Sequence, residues 1–254
     1  VIACFAPHWH DGDPEIDFIR STIGGPEDGN LSEYSVFHES GVVKTPDFLS
    51  DAEAATIPCA GLTAYNALVY LGNLKPGNTV VILGTGGVSL FALQIAKMMG
   101  CQVIITSRSE EKLKKALLLG ADQGILTSQK ANWDREIRKL TSMKGADFVL
   151  EVGGAGTLPK SIQSVRPGGV VALIGVLAGG ESKDLSLYPV LMQGIRIQGV
   201  IVGNTSMLRS FCHALESNKI KPVLDEEFSW TKTKEALEYL SLGKHFGKIP
   251  IKID

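Results

Sequence analysis

The sequence predicts an α/β protein whose larger part is a doubly wound parallel sheet of six strands, and three observations predict it. From about residue 60 apolar runs alternate with helical stretches, the pattern of parallel strands joined by crossover helices. Six such runs follow one another, the number a complete doubly wound fold needs. One of them leads directly into a glycine-rich turn that opens an apolar helix.

Taken in order, residues 1 to 51 are irregular and rich in Gly, Pro and Asp, with β-like pieces at Val1 to Phe5 and Tyr34 to Phe37 and little helix. Strands are then expected at Thr79 to Leu83, Gln102 to Thr106, Gln123 to Thr127, Asp147 to Val152, Val170 to Ile174 and Ile195 to Val202. Helices are expected between them at Val88 to Met99, Glu110 to Leu119, Trp133 to Ser142 and Leu158 to Val165. The breakers Pro76-Gly77 and Pro167-Gly168-Gly169 stand just before strands. After Gly203 the alternation loosens. Helices near Met207 to Ser217 and Lys232 to Leu242, with a last strand at Lys248 to Ile253, form a C-terminal piece expected to rejoin the N-terminal one.

Composition narrows the function. Lys and Arg number 25 against 27 Asp and Glu, a net charge of −2, which gives no electrostatic reason to expect nucleic acid or an anionic membrane as partner. With 44% hydrophobic and 20% charged residues, the chain is neither disordered nor fibrous. Glycine, at 28 of 254 residues, exceeds the usual ~7% and should mark tight turns or close backbone approach to a ligand. The four cysteines (Cys4, Cys59, Cys101, Cys212) form no C-x-x-C pair, so a reducing compartment is expected and the cytoplasm is the expected location. No apolar run reaches the ~18 residues of a membrane span, and Val1 to His10 lacks a basic n-region. The expectation is a soluble protein that takes a small-molecule substrate, with no nucleic acid and no membrane as partners and with homodimerisation left open.

The apolar strand Thr79 to Leu83 runs into Gly84-Thr85-Gly86-Gly87-Val88-Ser89 and then a helix, the context a dinucleotide fingerprint requires. Gly84 permits the tight turn, and Gly86 lets the backbone come close to a pyrophosphate held by the helix N-terminus. Ser89 stands in place of the third glycine. The second strand, ~20 residues on, is where a carboxylate would hold the ribose of NAD, but it ends Thr106-Ser107-Arg108-Ser109. Glu110 and Glu111 are explained by the dipole of the following helix, with Ser109 as its N-cap. Ser107, Arg108 and Lys112 offer donors suited to a 2′-phosphate, so NADP(H) is the expected cofactor. The alternative is that Arg108 and Lys112 are solvated surface charges. Glycines recur at later strand ends: Gly153, Gly154 and Gly156, then Gly175, then Gly203. A dinucleotide along that edge would put nicotinamide near Gly175 to Leu177 and Val200 to Val202.

Ile57-Pro58-Cys59-Ala60-Gly61-Leu62-Thr63-Ala64-Tyr65, Leu74-Lys75-Pro76-Gly77, Gly84-Thr85-Gly86-Gly87-Val88 and Gly247-Lys248-Ile249 together resemble the medium-chain dehydrogenase/reductase superfamily. Within it the chain most resembles the zinc-independent alcohol dehydrogenase-like and quinone oxidoreductase-like NADPH enzymes. The resemblance implies a Rossmann domain at 60–204, a partial GroES-like, mainly-β catalytic domain at 1–59 and a C-terminal return to it at 205–254. It also implies that the early strands, with the zinc-ligand or proton-donor positions, would lie before Val1, so the catalytic residues are unknown. By matching position, Thr63 approaches nicotinamide and Gly84, Gly86, Gly87 and Val88 form the pyrophosphate turn. Ser107 takes the place of the NAD-selecting Asp, and Lys112 reaches the adenosine ribose. Val152 and Gly153 line the adenine-ribose side, while Gly175, Val176, Val200 and Val202 neighbour the nicotinamide.

Cys59 falls where zinc-dependent members place one catalytic ligand, but such a site needs three protein ligands. Phe5 to Asn30, the counterpart of the structural-zinc lobe, contains no cysteine, and His8-x-His10-Asp11 lacks a convincing further ligand. No metal is therefore expected. No Gly-x-Ser-x-Gly elbow supports a hydrolase. The expected activity is hydride transfer between nicotinamide and a small carbonyl, quinone, enone or alcohol. The alternative is a non-catalytic NADP(H)-binding protein with a redox-sensing or structural role.

Overall fold

The structure, a computed structural model, describes residues 1–176, 179–181 and 184–253. The chain divides into two compact units, one of Asn66–Ile201 and one that joins Val1–Tyr65 to Val202–Asp254.

The unit of residues 66–201 holds the sheet: β1 (Thr79–Ile82), β2 (Gln102–Ser107), β3 (Gln123–Leu126), β4 (Ala146–Glu151), β5 (Val165–Leu173) and β6 (Arg196–Gly199). All are parallel, and the spatial order is β3-β2-β1-β4-β5-β6. The order reverses between β1 and β4, which makes that junction the switch point of a doubly wound Rossmann sheet. Five helices connect the strands: α1 (Gly87–Met98), α2 (Glu110–Leu118), α3 (Trp133–Leu140), α4 (Leu158–Ser164) and α5 (Tyr188–Gln193). Val80, Val81 and Ile82 of β1 are fully buried, as a continuous apolar run must be when both sheet faces are covered. Leu90, Phe91, Leu93 and Ile95 of α1 are buried with them, each contributing about 1.5–3 kcal/mol.

Two strands differ from the sequence expectation. β5 begins at Val165 rather than Val170, because Val165 already pairs with Ala146 before the register shifts to Phe148 opposite Val170. Pro167-Gly168-Gly169 is thus an excursion within the strand, where a proline with no N–H is tolerated, and Gly168 takes a φ of 70°. β6 stops at Gly199 because Gly199 pairs with Leu173, the last residue of β5. Only the Val200 N–H still reaches the Leu173 carbonyl, at 3.0 Å.

α1 is anchored to the sheet by Lys97, whose ammonium lies 2.8 Å from Asp122. Asp122 also accepts the Val103 N–H at 2.7 Å. Partial burial pushes the Asp122 pKa up, but these donors outweigh it and hold the carboxyl below its usual value. A carboxyl depressed in the folded state stabilises above its unfolded pKa and loses that contribution as pH falls through the folded one. Asp122→Asn should therefore cost ~1 kcal/mol near pH 7, reduced from a buried pair's worth by solvent screening. Urea unfolding at pH 7 and again well below the normal carboxyl pKa checks this, and an equal cost at both would refute it.

In the other unit, Ile2–Ala3 pairs antiparallel with Val42–Val43, and Ile251–Lys252 pairs parallel with Phe228–Ser229. The β-like pieces at both ends are thus shorter than expected. Tyr34–Phe37 forms no ladder among the described residues, and Tyr34 and Val36 are 91% and 99% exposed. β-propensity makes no strand without a partner edge. A helical run from Asp51 to Leu71, which the sequence reading did not delimit, starts at a capping box of Ser50 and Glu53. Its 21 residues are long and apolar enough to cross a membrane, yet 67% of its apolar window is buried inside the protein, as in a core helix. Tyr65 on that run stacks on Phe211 of the helix Thr205–Asn218 at 4.8 Å between ring centroids.

Candidate functional site

The β1–α1 turn is fixed by short-range contacts. Gly84 has a φ of 73°, a left-handed conformation that favours glycine. Its N–H donates to Thr106 Oγ1 at 3.3 Å, tying the turn to the end of β2. Ser89, in the place of the third glycine, is buried and donates its hydroxyl to the Leu83 carbonyl at 2.7 Å, so the departure closes the turn instead of opening it. Gly86 is the N-cap of α1, makes no side-chain cap, and has nothing within 4 Å of where a Cβ would stand. A ligand can therefore approach the backbone closely at Gly86, next to the first-turn N–H groups of Gly87 and Val88, which have no intrahelical partner.

At the tip of β2, Ser107 is buried and its Oγ receives the Ser109 N–H at 3.1 Å. Its hydroxyl therefore holds the local turn. Arg108 is exposed and, among the described residues, makes no hydrogen bond or ion pair. Ser109 caps α2 through the Lys112 N–H at 3.4 Å. Glu110 and Glu111 pair with Lys114 and Lys115, each at 2.8 Å, and those hydrogen bonds hold both carboxyls below their usual pKa. Both carboxylates thus have cationic partners on their own helix. Lys112 is half-buried.

The tips of β4 and β5 meet through backbone. The Glu151 carbonyl accepts the N–H groups of Ile174 at 2.9 Å and Gly175 at 3.2 Å. The Glu151 side chain, fully buried, accepts Gly153 N–H at 2.7 Å, Gly154 N–H at 2.9 Å and the Thr157 hydroxyl at 2.6 Å on one oxygen. The Ser161 hydroxyl donates to the other. Sequence reasoning passed over Glu151. The available signal was an acidic residue closing the strand core Phe148-Val149-Leu150, with hydroxyls following at Thr157 and Ser161. Val176 is 64% exposed, and Leu177 lies outside the described residues.

Gly84 to Val88, Ser107, Arg108, Val152, Gly153, Gly175, Val176 and Val200 all fall at or just beyond the C-terminal ends of their strands, the edge at which open α/β sheets bind ligands. Lys112 sits one turn into α2. Thr63 and Val202 belong to the other unit.

The profile of the zinc-binding dehydrogenase family matches residues 87–217. A zinc-type alcohol dehydrogenase-like protein of Schizosaccharomyces pombe is 39% identical over 100% of this chain and 75% of its own length. The chain belongs to the zinc-binding dehydrogenase family. It is thus a medium-chain dehydrogenase/reductase of the alcohol dehydrogenase-like, oxidoreductase kind. A solved candidate alcohol dehydrogenase of Sinorhizobium meliloti 1021 is 43% identical, with a TM-score of 0.91 over 98% of this chain and 73% of that one. A solved NAD-dependent alcohol dehydrogenase is 32% identical, with a TM-score of 0.86 over 92% of this chain and 68% of that one.

Membership of this family raises zinc, and the residues of this chain fit it poorly. Cys59 is exposed, but burial of its thiol pushes the pKa up, against the pull of the Lys248 ammonium. Among the described residues no group of three or more His, Cys, Asp and Glu side chains is placed to hold a metal ion. Thr63, one turn on, is buried and donates its hydroxyl to the Cys59 carbonyl at 2.7 Å.

Proposed function

We propose that the chain is the cofactor-binding and substrate-orienting part of an NADPH-dependent, zinc-independent oxidoreductase that reduces a small carbonyl, quinone or enone, or oxidises the corresponding alcohol. The observation that carries the cofactor choice is the end of β2, where no carboxylate is free for the ribose and Arg108 has no partner among the described residues. In this reading Gly84 to Val88 hold the pyrophosphate, and Arg108, with Lys112 nearby, receives the 2′-phosphate. Val152, Gly153, Gly175, Val176 and Val200 flank the riboses and the nicotinamide. The bound dinucleotide supplies hydride transfer, and the chain's own groups bind, orient and exclude water. The solved relative that is NAD-dependent makes the choice a sharp one. Titration of the chain with NADPH and with NADH, followed by nucleotide fluorescence, should give tighter binding of NADPH, and an equal or reversed preference would overturn the reading.

The zinc-independent part of the proposal rests on the donor set around Cys59. Elemental analysis of undialysed protein should find well under one zinc per chain. A stoichiometric zinc that chelators remove together with activity would reject it.

A further inference from the structure

We infer that Asn66 is a positioning residue for the nicotinamide end of the cofactor groove, an inference that rests on the dinucleotide reading above. Asn66 is only 2% exposed. Its Nδ2 donates to the Ile201 carbonyl at 3.4 Å, a bond that joins the first and last residues of the 66–201 unit. Its Oδ1 is buried and has no hydrogen-bond partner among the described residues. An unpaired amide oxygen costs more to bury than so long a neutral bond returns. Asparagine is also a poor helix former, and the next residues of its helical run, Ala67 and Leu68, are fully buried. On grounds of stability alone an apolar side chain would suit this place better. What the amide adds lies at the far end of its hydrogen bond.

β6 stops at Gly199, and the Val200 N–H makes one further bond to the sheet, to the Leu173 carbonyl at 3.0 Å. Beyond it Ile201 is 41% exposed and makes no backbone hydrogen bond among the described residues. The Asn66 amide therefore fixes the peptide that follows Val200. In the dinucleotide reading Val200 flanks the nicotinamide, so this backbone is set before the ligand arrives and binding need not order it. The strand order decides which end of the ligand feels this. Ser107 and Arg108 stand at the tip of β2, Val200 and Ile201 at the tip of β6, and β1, β4 and β5 lie between them. Four strand spacings put the two tips about 19 Å apart. Asn66 thus acts on the ring end of a bound dinucleotide, out of reach of the 2′-phosphate end.

Titration with two ligands, beside unfolding, separates positioning from support of the fold. Asn66→Ala removes both the bond and the unpaired oxygen. Calorimetry should show NADPH bound about fivefold more weakly, the worth of one neutral hydrogen bond. Affinity for 2′,5′-ADP, which carries the adenosine and the 2′-phosphate but no nicotinamide, should stay within about twofold of that of the unmutated chain. The midpoint of urea unfolding should not fall, because the unpaired oxygen is gone and alanine is the better helix former. Parallel weakening of both ligands, or a lowered midpoint, would make Asn66 a support of the fold only. Unchanged NADPH affinity would remove its role altogether. Should Asn66→Ala lose its cooperative unfolding, the same comparisons on Asn66→Ser decide, since that hydroxyl ends one bond short of the amide nitrogen. An unmutated chain that binds neither ligand would sink the dinucleotide reading itself, and this inference with it.

Discussion

Gly175→Ala is expected to cost about 3 kcal/mol of stability in the 66–201 unit, the upper part of the range for overpacking, and to abolish dinucleotide binding with it. The cause is steric. The added methyl would lie well inside van der Waals contact of the Val152 carbonyl oxygen and 2.9 Å from the Val152 Cα, and backbone cannot swing aside as a flexible side chain does. Relief requires parting β4 from β5 and breaking the hydrogen bonds of Ile174 and Gly175 to the Glu151 carbonyl, at 2.9 and 3.2 Å. Gly86→Ala is the contrasting variant. Its φ of −82° suits any residue and its Cβ would meet nothing within 4 Å. It should cost no more than about 1 kcal/mol, the cost of alanine as a poorer N-cap, while its methyl stands where the pyrophosphate must approach. Denaturant unfolding beside nucleotide titration tests the pair. A Gly175→Ala protein within about 1 kcal/mol of the unmutated one would mean that the two strand tips part freely.

The parts of this fold legible in the sequence are those fixed by neighbours along the chain. β1, its glycine turn and α1 form one uninterrupted stretch, in which apolar periodicity and the φ demanded of Gly84 both act locally. Where pairing is set by a distant strand, the reading slipped. Pro167-Gly168-Gly169 reads as a stop, yet Val165 pairs with Ala146 across the sheet and the ladder resumes beyond the excursion. Tyr34 to Phe37 reads as a strand from its residue types and has no ladder, because the edge that would pair it is not supplied by any described residue. The helical run from Asp51 to Leu71 was hidden by Pro58 and Gly61, both poor helix formers, and its turns at Ile57–Gly61 and Asn66–Leu71 adopt the wider π geometry. Glu151 was hidden for another reason. Nothing in the order of residues says that hydroxyls at Thr157 and Ser161 turn back onto one carboxylate, since that depends on where α4 packs.

Arg108 is the one cation exposed at the tip of β2 itself, and the expected result is a preference for NADP(H) of roughly 30- to 150-fold, most of which Arg108→Asp removes. A charge-assisted hydrogen bond contributes roughly 1.5–3 kcal/mol when well made. Arg108 is exposed, so solvent takes part of that. Its planar fork can still present two donors to one phosphate, which leaves about 2–3 kcal/mol for the group, at ~1.4 kcal/mol per decade. Aspartate at the same position reverses the sign of the nearest charge and so repels the 2′-phosphate. NADH affinity should change little, because the turn from Gly84 to Val88 and its hydrogen bonds to Thr106 and Leu83 are untouched. Raising the salt concentration should narrow the preference of the unmutated chain and leave that of the variant almost unchanged, since only the former depends on an exposed charge pair. Parallel titrations of NADPH and NADH on both proteins, at low and high salt, measure all of this. A variant that keeps its preference for NADPH would reduce Arg108 to a solvated surface charge.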